Sequence, residues 1–105
     1  MADFVLLYSG GSMPETEAEQ ARVMQAWTDW YSKLGAAVKD GGNPFGPEAR
    51  GIAADGSVSG SVGSPHTGYT IVTADSLDEA TILAKDSPIL QGGGGIEVYE
   101  IVEVM

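Results

Sequence analysis

An α+β sandwich, with two helices lying on one face of an antiparallel sheet, is the architecture expected of this chain, and three features of its 105 residues point to it. Apolar and aromatic runs of strand length stand at the start, in the second half and at the end. Two stretches with apolar residues at steps of three and four follow the first two of those runs, each behind a capping residue. The order is then β-α-β, a hairpin-like insertion, and β-α-β, which is that of a ferredoxin-like sandwich.

The first strand is expected over Phe4, Val5, Leu6, Leu7 and Tyr8, between Asp3 and the Gly10-Gly11 pair, because a continuous apolar run this short suits a buried strand better than a helix. Ser12 or Thr16 can cap the helix that follows, Pro14 suits its first turn, and Glu15, Glu17 and Glu19 place negative charge at the positive end of the helix dipole. Val23, Met24, Trp27, Trp30, Tyr31 and Leu34 form its apolar stripe, Asp29 stands four residues before Lys33, and Gly35 ends it. A short second strand is expected over 36–40, before Gly41-Gly42-Asn43-Pro44 and Gly46-Pro47 break the periodicity. Residues 50–54 and 57–59 flank Asp55-Gly56, which predicts an exposed hairpin whose two turn residues take positive φ. Residues 60–65 are small and polar and suit a flexible connection.

Tyr69, Thr70, Ile71, Val72 and Thr73 form the next β-branched and aromatic strand. Ser76-Leu77-Asp78-Glu79 is a capping box, with the serine oxygen on the Glu79 amide and the Glu79 carboxylate on the Ser76 amide. Leu77, Ala80, Leu83 and Ala84 share a face of this second helix, which must end before Ser87-Pro88. The four glycines 92–95 lead into a last strand over 96–104.

Composition bounds the function. Five basic residues against fifteen acidic ones give a net charge of -10, so nucleic acid and anionic membrane are not expected partners. Without cysteine there is no disulfide, thiol nucleophile, iron–sulfur cluster or cysteine-based zinc site. The same absence makes the cytoplasm the expected compartment. The N-terminal apolar run carries Asp3 in place of a basic leader and is too short for a signal peptide or a membrane span, and a chain of this length is expected to be one domain, 1–105. Two helices cover one sheet face, yet Val5 and Leu7, and Tyr99 and Ile101, make the opposite face apolar as well. A homodimer packed sheet on sheet about a twofold axis is the expected way to cover it.

Phe4-Val5-Leu6-Leu7-Tyr8, Met24-Gln25-Ala26-Trp27, Asp40-Gly41-Gly42-Asn43-Pro44, Gly68-Tyr69-Thr70-Ile71-Val72, the run from Ala74-Asp75 to Glu79-Ala80 and Gly94-Gly95-Ile96-Glu97-Val98 together resemble the YCII-related (DGPF-domain) family over nearly the whole chain. The resemblance implies a ferredoxin-like protomer, a dimeric α/β barrel and a small cleft at the sheet edge. It also implies acid–base chemistry by a His and Asp pair in some members, one relative eliminating chloride from a chlorinated hydroxyquinol; muconolactone isomerases share the wider superfamily. This sequence departs from the pattern in its first helix, which has no histidine: Met24 and Trp27 occupy that neighbourhood, and Asp40 is the only acid near the end of the second strand.

The candidate chemistry is correspondingly spare. His66 is the one side chain that titrates near neutrality by default, so it and Asp40 are the candidate acid–base residues. The bland readings are a solvent-exposed loop histidine and a turn aspartate bonding backbone amides before a glycine pair. Tyr8, Trp27, Asn43 and Tyr69 are candidates to line a ligand cleft, with Trp27, Trp30 and Tyr31 otherwise core and Tyr8 and Tyr69 otherwise structural. One histidine with no HExxH and no spaced acidic loop gives no metal site. The glycine runs lack the following Lys-Ser/Thr and helix that cradle phosphate, so no cofactor is expected. The function expected is cofactor-free isomerisation or elimination on a small hydroxylated or carbonyl compound. The alternatives are a non-catalytic small-molecule-binding or regulatory dimer, and a subunit whose partner supplies the chemistry.

Overall fold

The computed structural model describes residues 1–11, 14–46, 48–60 and 66–104. In chain order it contains β1 (Ala2–Ser9), α1 (Glu17–Leu34), a 3-10 turn (Gly35–Ala37), β2 (Val38–Asp40), β3 (Gly51–Ile52), β4 (Val58–Ser59), β5 (His66–Ala74), α2 (Leu77–Ala84), a second 3-10 turn (Pro88–Leu90) and β6 (Gly95–Ile101). The sheet runs β2-β5-β1-β6, with every neighbouring pair antiparallel. The first and last strands therefore lie side by side, and the two β-α-β halves interleave as in a ferredoxin-like fold.

Alternation along β1 and β5 decides which face meets the helices. Phe4, Leu6 and Tyr8 of β1 and Thr70, Val72 and Ala74 of β5 are buried, and Trp30 and Leu34 of α1 and Ala80 and Ala84 of α2 pack onto them. The intervening residues Val5, Leu7, Tyr69 and Ile71 are only partly buried, and beyond them Tyr99 and Ile101 are exposed. Val5 pairs with Ile71 on one side and Tyr99 on the other, so this second apolar face is continuous across three strands. Both helices lie on the opposite side.

Several local expectations hold in a modified form. The Thr16 hydroxyl accepts the Glu19 amide at 3.2 Å and caps α1, and Gly35 ends it at φ 55°; the alternative cap, Ser12, lies outside the described residues. Lys33 does not pair with Asp29 in its own helix: it reaches Asp86 at 2.7 Å, past the end of α2, while Asp29 accepts from the Gln25 amide at 2.8 Å. The expected strand over 36–40 begins only at Val38, because the chain leaving Gly35 makes a 3-10 turn first. Ser76 caps α2 through the Glu79 amide at 3.1 Å, but the Glu79 carboxylate accepts the Asp75 amide at 3.2 Å, one residue earlier than in the expected box. Leu77, placed by spacing on the buried face, opens α2 half-exposed. The last strand ends at Ile101, short of 104.

The 50–59 hairpin exists as a separate two-stranded sheet, with Ile52 74% and Val58 64% exposed. Its turn departs from the expected two-residue type. Ala53 donates to the Ser57 carbonyl at 2.8 Å and Gly56 to the Ala53 carbonyl at 2.9 Å, and only Gly56 has positive φ. Three residues lie inside the loop, so one left-handed position suffices. Asp55 keeps an ordinary φ and accepts the Ser57 amide at 2.9 Å; hydrogen bonds from Ser57 hold its carboxyl below the usual range. Of the 60–65 connection only Gly60 is among the described residues.

Candidate functional site

A cleft of about 910 Å³ opens on the helix side of the sheet, at the end of β1. Its walls come from α1, Gly10 and Gly11 after β1, residues 41–44, the start of β5 and the turn around Pro88 and Ile89. Glycines allow these segments to meet. Gly42 has φ 74°, and a Cβ there would fall 1.7 Å from the Tyr69 carbonyl oxygen. A Cβ on Gly68 would lie 3.1 Å from the Asn43 carbonyl oxygen and 3.2 Å from the Pro44 Cα. Residues 43–45 consequently continue alongside β5 past the end of β2, with the Phe45 amide on the Thr67 carbonyl at 2.8 Å and a bridge from Pro44 to Gly68.

The apolar stripe of α1 divides between core and cleft. Trp30 and Leu34 are buried against the sheet, whereas Val23, Trp27 and Tyr31, one step round the helix, line the cleft. Trp27 meets Tyr8 edge to face, with centroids 5.4 Å apart and planes at 69°, and lies 5.6 Å from Trp30 and 5.9 Å from Tyr31. Trp30 is held in turn by donation from its Nε1 to the Leu83 carbonyl at 3.2 Å. The indole N–H of Trp27 has no partner among the described residues.

Beside this wall is a chain of hydroxyls. Tyr8 Oη donates to Thr70 Oγ1 at 2.6 Å, Thr70 Oγ1 donates to the Gly41 carbonyl at 3.0 Å, and Tyr31 Oη donates to the same carbonyl at 2.9 Å. Tyr31 Oη also lies 3.3 Å from Thr70 Oγ1, where either can donate, and the lone pairs left on the tyrosine oxygens are acceptors that a ligand can use. Burial pushes the Tyr8 phenol up, against a smaller lowering by the Thr70 hydrogen bond, so Tyr8 stays a neutral hydroxyl through the physiological range.

Of the residues singled out from sequence, the structure places Tyr8, Trp27, Asn43 and Tyr69 on the wall of this cleft. Asp40 is not on the wall. Its Oδ1 accepts the Gly42 amide at 2.9 Å, the turn role expected of it, and its Oδ2 accepts the Tyr69 hydroxyl at 3.4 Å. His66 is not a loop residue but the first residue of β5. An irregularity between Tyr8 and Ser9 brings it opposite Ser9, so it lies with Leu7 and Glu97 on the outer sheet face. There its Nε2 is 4.0 Å from Glu97 Oε1, and its buried Nδ1 has no partner among the described residues. Tyr99 donates to Glu97 Oε2 at 2.7 Å, and that bond raises the Tyr99 phenol. No hydrogen bond or ion pair joins His66 to Asp40 among the described residues.

Sequence reasoning passed over Thr70, Tyr31 as a hydroxyl, Arg22 and Ile89. The first two had readable signals: Thr70 is a polar residue at an inward position of an apolar strand, and Tyr31 stands four residues after Trp27. Ile89 lies in a turn and had none. Among the described residues no group of three or more histidine or carboxylate side chains is placed to hold a metal ion, and no helix is long and apolar enough to cross a membrane.

No protein-family model matches the chain, and no curated protein matches its sequence. Among solved structures it is similar to the 5-chloro-2-hydroxyhydroquinone dehydrochlorinase of Burkholderia phenoliruptrix AC1100 in complex with 2,5-dihydroxybenzoquinone. The TM-score is 0.55 and the identity 18%, over 94% of this chain and 93% of that one. The likeness is one of fold, end to end in both chains.

Proposed function

We propose that this chain, a single domain over 1–105, is a cytoplasmic YCII-related protein whose α1-side cleft takes a small hydroxylated or carbonyl ring compound and moves a proton on it. The isomerisation or elimination that follows needs no cofactor. The observation that carries this reading is the hydroxyl chain Tyr8–Thr70–Gly41–Tyr31 beside Trp27, since an aromatic wall with fixed hydroxyls binds the face of a ring and its oxygens together. The similar fold of a dehydrochlorinase supports the same class of substrate.

Within the proposal Tyr8 and Tyr31 orient ring oxygens, and Asp40, which immediately precedes the wall segment 41–44, receives the substrate proton. The electron pair left on the substrate moves into the ring. It then expels a leaving group with its own pair, for elimination, or takes a proton at another carbon, for isomerisation. His66 stands apart from this site; with Glu97 and Tyr99 it belongs to the outer sheet face, through which the chain is proposed to form a homodimer.

The test is turnover of chlorinated and unchlorinated hydroxyquinols, followed by absorbance and by chloride release. Asp40→Asn is expected to lower kcat at least tenfold, Tyr8→Phe to raise KM several-fold, and His66→Ala to leave kcat within about twofold. Activity that survives Asp40→Asn and Tyr8→Phe together overturns the assignment. Light scattering is expected to read the mass of two chains; the mass of one chain overturns the dimer. A non-catalytic binding or regulatory dimer is the second reading. It is favoured by a cleft wall that carries no histidine and, among the described residues, only one carboxylate, the exposed Glu19. Tight binding of the same compounds without turnover selects it.

A further inference from the structure

Positive charge is scarce in this protein, and three of its five cations have a partner among the described residues. Lys33 pairs with Asp86, Lys39 with Asp3, and Arg50 donates to the carbonyls of Ala49 and Gly60; Lys85, whose backbone amide caps α2, stands away from the cleft. The one cation lining the cleft is Arg22, on the stripe of α1 between Glu19 and Val23, and among the described residues its guanidinium makes no hydrogen bond and no ion pair. Glu19 is three residues away on the same stripe, and no ion pair joins the two.

Beside the Glu19 carboxylate and the tyrosine oxygens, the cleft carries a set of uncommitted donors. The guanidinium of Arg22 and the indole N–H of Trp27 are donors only, and the side-chain amides of Asn43 and Gln91 each offer donors, all four residues lining the cleft without a side-chain hydrogen bond to another described residue. Such a wall suits a ligand rich in acceptor oxygens, and the guanidinium suits a planar anionic pair of oxygens most of all.

Resting on the proposed cleft, we infer that its ligand is a planar ring compound bearing a carboxylate, with the ring against Trp27 and Tyr8 and the carboxylate on Arg22. Arg22 is then the residue that sets specificity. In a chain of net charge -10 an anionic ligand enters against the overall field, so the preference for it rests on this one side chain.

Hydroquinone and 2,5-dihydroxybenzoate differ only by the carboxylate, and titration of each into the full-length protein with calorimetric detection tests the inference. The wild-type protein is expected to bind 2,5-dihydroxybenzoate about tenfold more tightly than hydroquinone, the size of a charge-assisted hydrogen bond at a solvent-facing site. In Arg22→Met the ratio is expected to fall to about one, and in Arg22→Lys to an intermediate value, because an ammonium keeps the charge without the fork. Equal affinities in the wild type, or a ratio that persists in Arg22→Met, overturn the role of Arg22 while leaving the cleft in place. Failure of both compounds to bind the wild type overturns the cleft reading and this inference together.

Discussion

Tyr8 is a phenol almost without solvent contact whose proton is committed to Thr70, and this combination has a measurable pH signature. In the unfolded chain a tyrosine loses its proton near pH 10, whereas burial keeps Tyr8 protonated well above that in the folded protein. Between those two values the unfolded state binds fewer protons than the folded one, so stability is fully present below about pH 10 and falls as pH rises further, by up to about 1.4 kcal/mol per pH unit from this group. Tyr8→Phe removes both the hydrogen bond and the titration. Urea unfolding at neutral pH is expected to find the variant less stable by about 1 kcal/mol. As pH passes 10 the wild type is expected to lose that advantage and then fall below the variant. Parallel stability curves up to about pH 11.5 contradict this role of Tyr8.

At the level of elements, the segment 41–45 decides whether the cleft exists, and Gly42 is its hinge. Its positive φ alone strains any other residue by about 1 kcal/mol, but a Cβ would also collide with the Tyr69 carbonyl, which is β5 backbone and cannot swing away. Gly56 has a similar φ of 89°, and a Cβ there would meet nothing within 4 Å. Gly56→Ala is therefore expected to cost about 1 kcal/mol, and Gly42→Ala roughly 2 kcal/mol or more with loss of ligand binding, by thermal and urea unfolding with a binding assay alongside. Equal costs for the two remove Gly42 from its role. This segment also marks the limit of what was legible in the sequence. The strands, both helices and the two-faced sheet follow from alternation and from caps at Thr16 and Ser76, all of them signals within a few residues. The cleft depends on contacts between residues far apart in the chain, Gly42 against Tyr69 and Gly68 against Pro44, which no local pattern encodes. His66 shows the same limit, since a one-residue irregularity opposite Tyr8 and Ser9 turns it to the face that strand parity alone would deny it.

For the whole molecule, the two faces of the sheet have different fates. The inner face is filled by Trp30, Leu34, Ala80 and Ala84 except at the end of β1, where the chain leaves the cleft open. The outer face presents Val5, Leu7, Ile71, Tyr99 and Ile101 with acids among them, and the second copy proposed to cover it would double a charge of -10. In that dimer apolar burial would have to outweigh the repulsion, which salt screens over about 10 Å at 0.1 M ionic strength. The acidity then serves solubility and placement: it lies in the first turns of α1 and α2 and along β6, and among the described residues it leaves the cleft with a single unpaired cation, Arg22. Everything proposed for function depends on the ligand entering on the helix side of the sheet. A crystal structure of the protein with 2,5-dihydroxybenzoquinone tests this most directly. The ring is expected against Trp27, with an oxygen in hydrogen-bonding range of the Tyr8 or Tyr31 hydroxyl; a ring bound instead on the outer face, beside His66 and Glu97, contradicts the proposal.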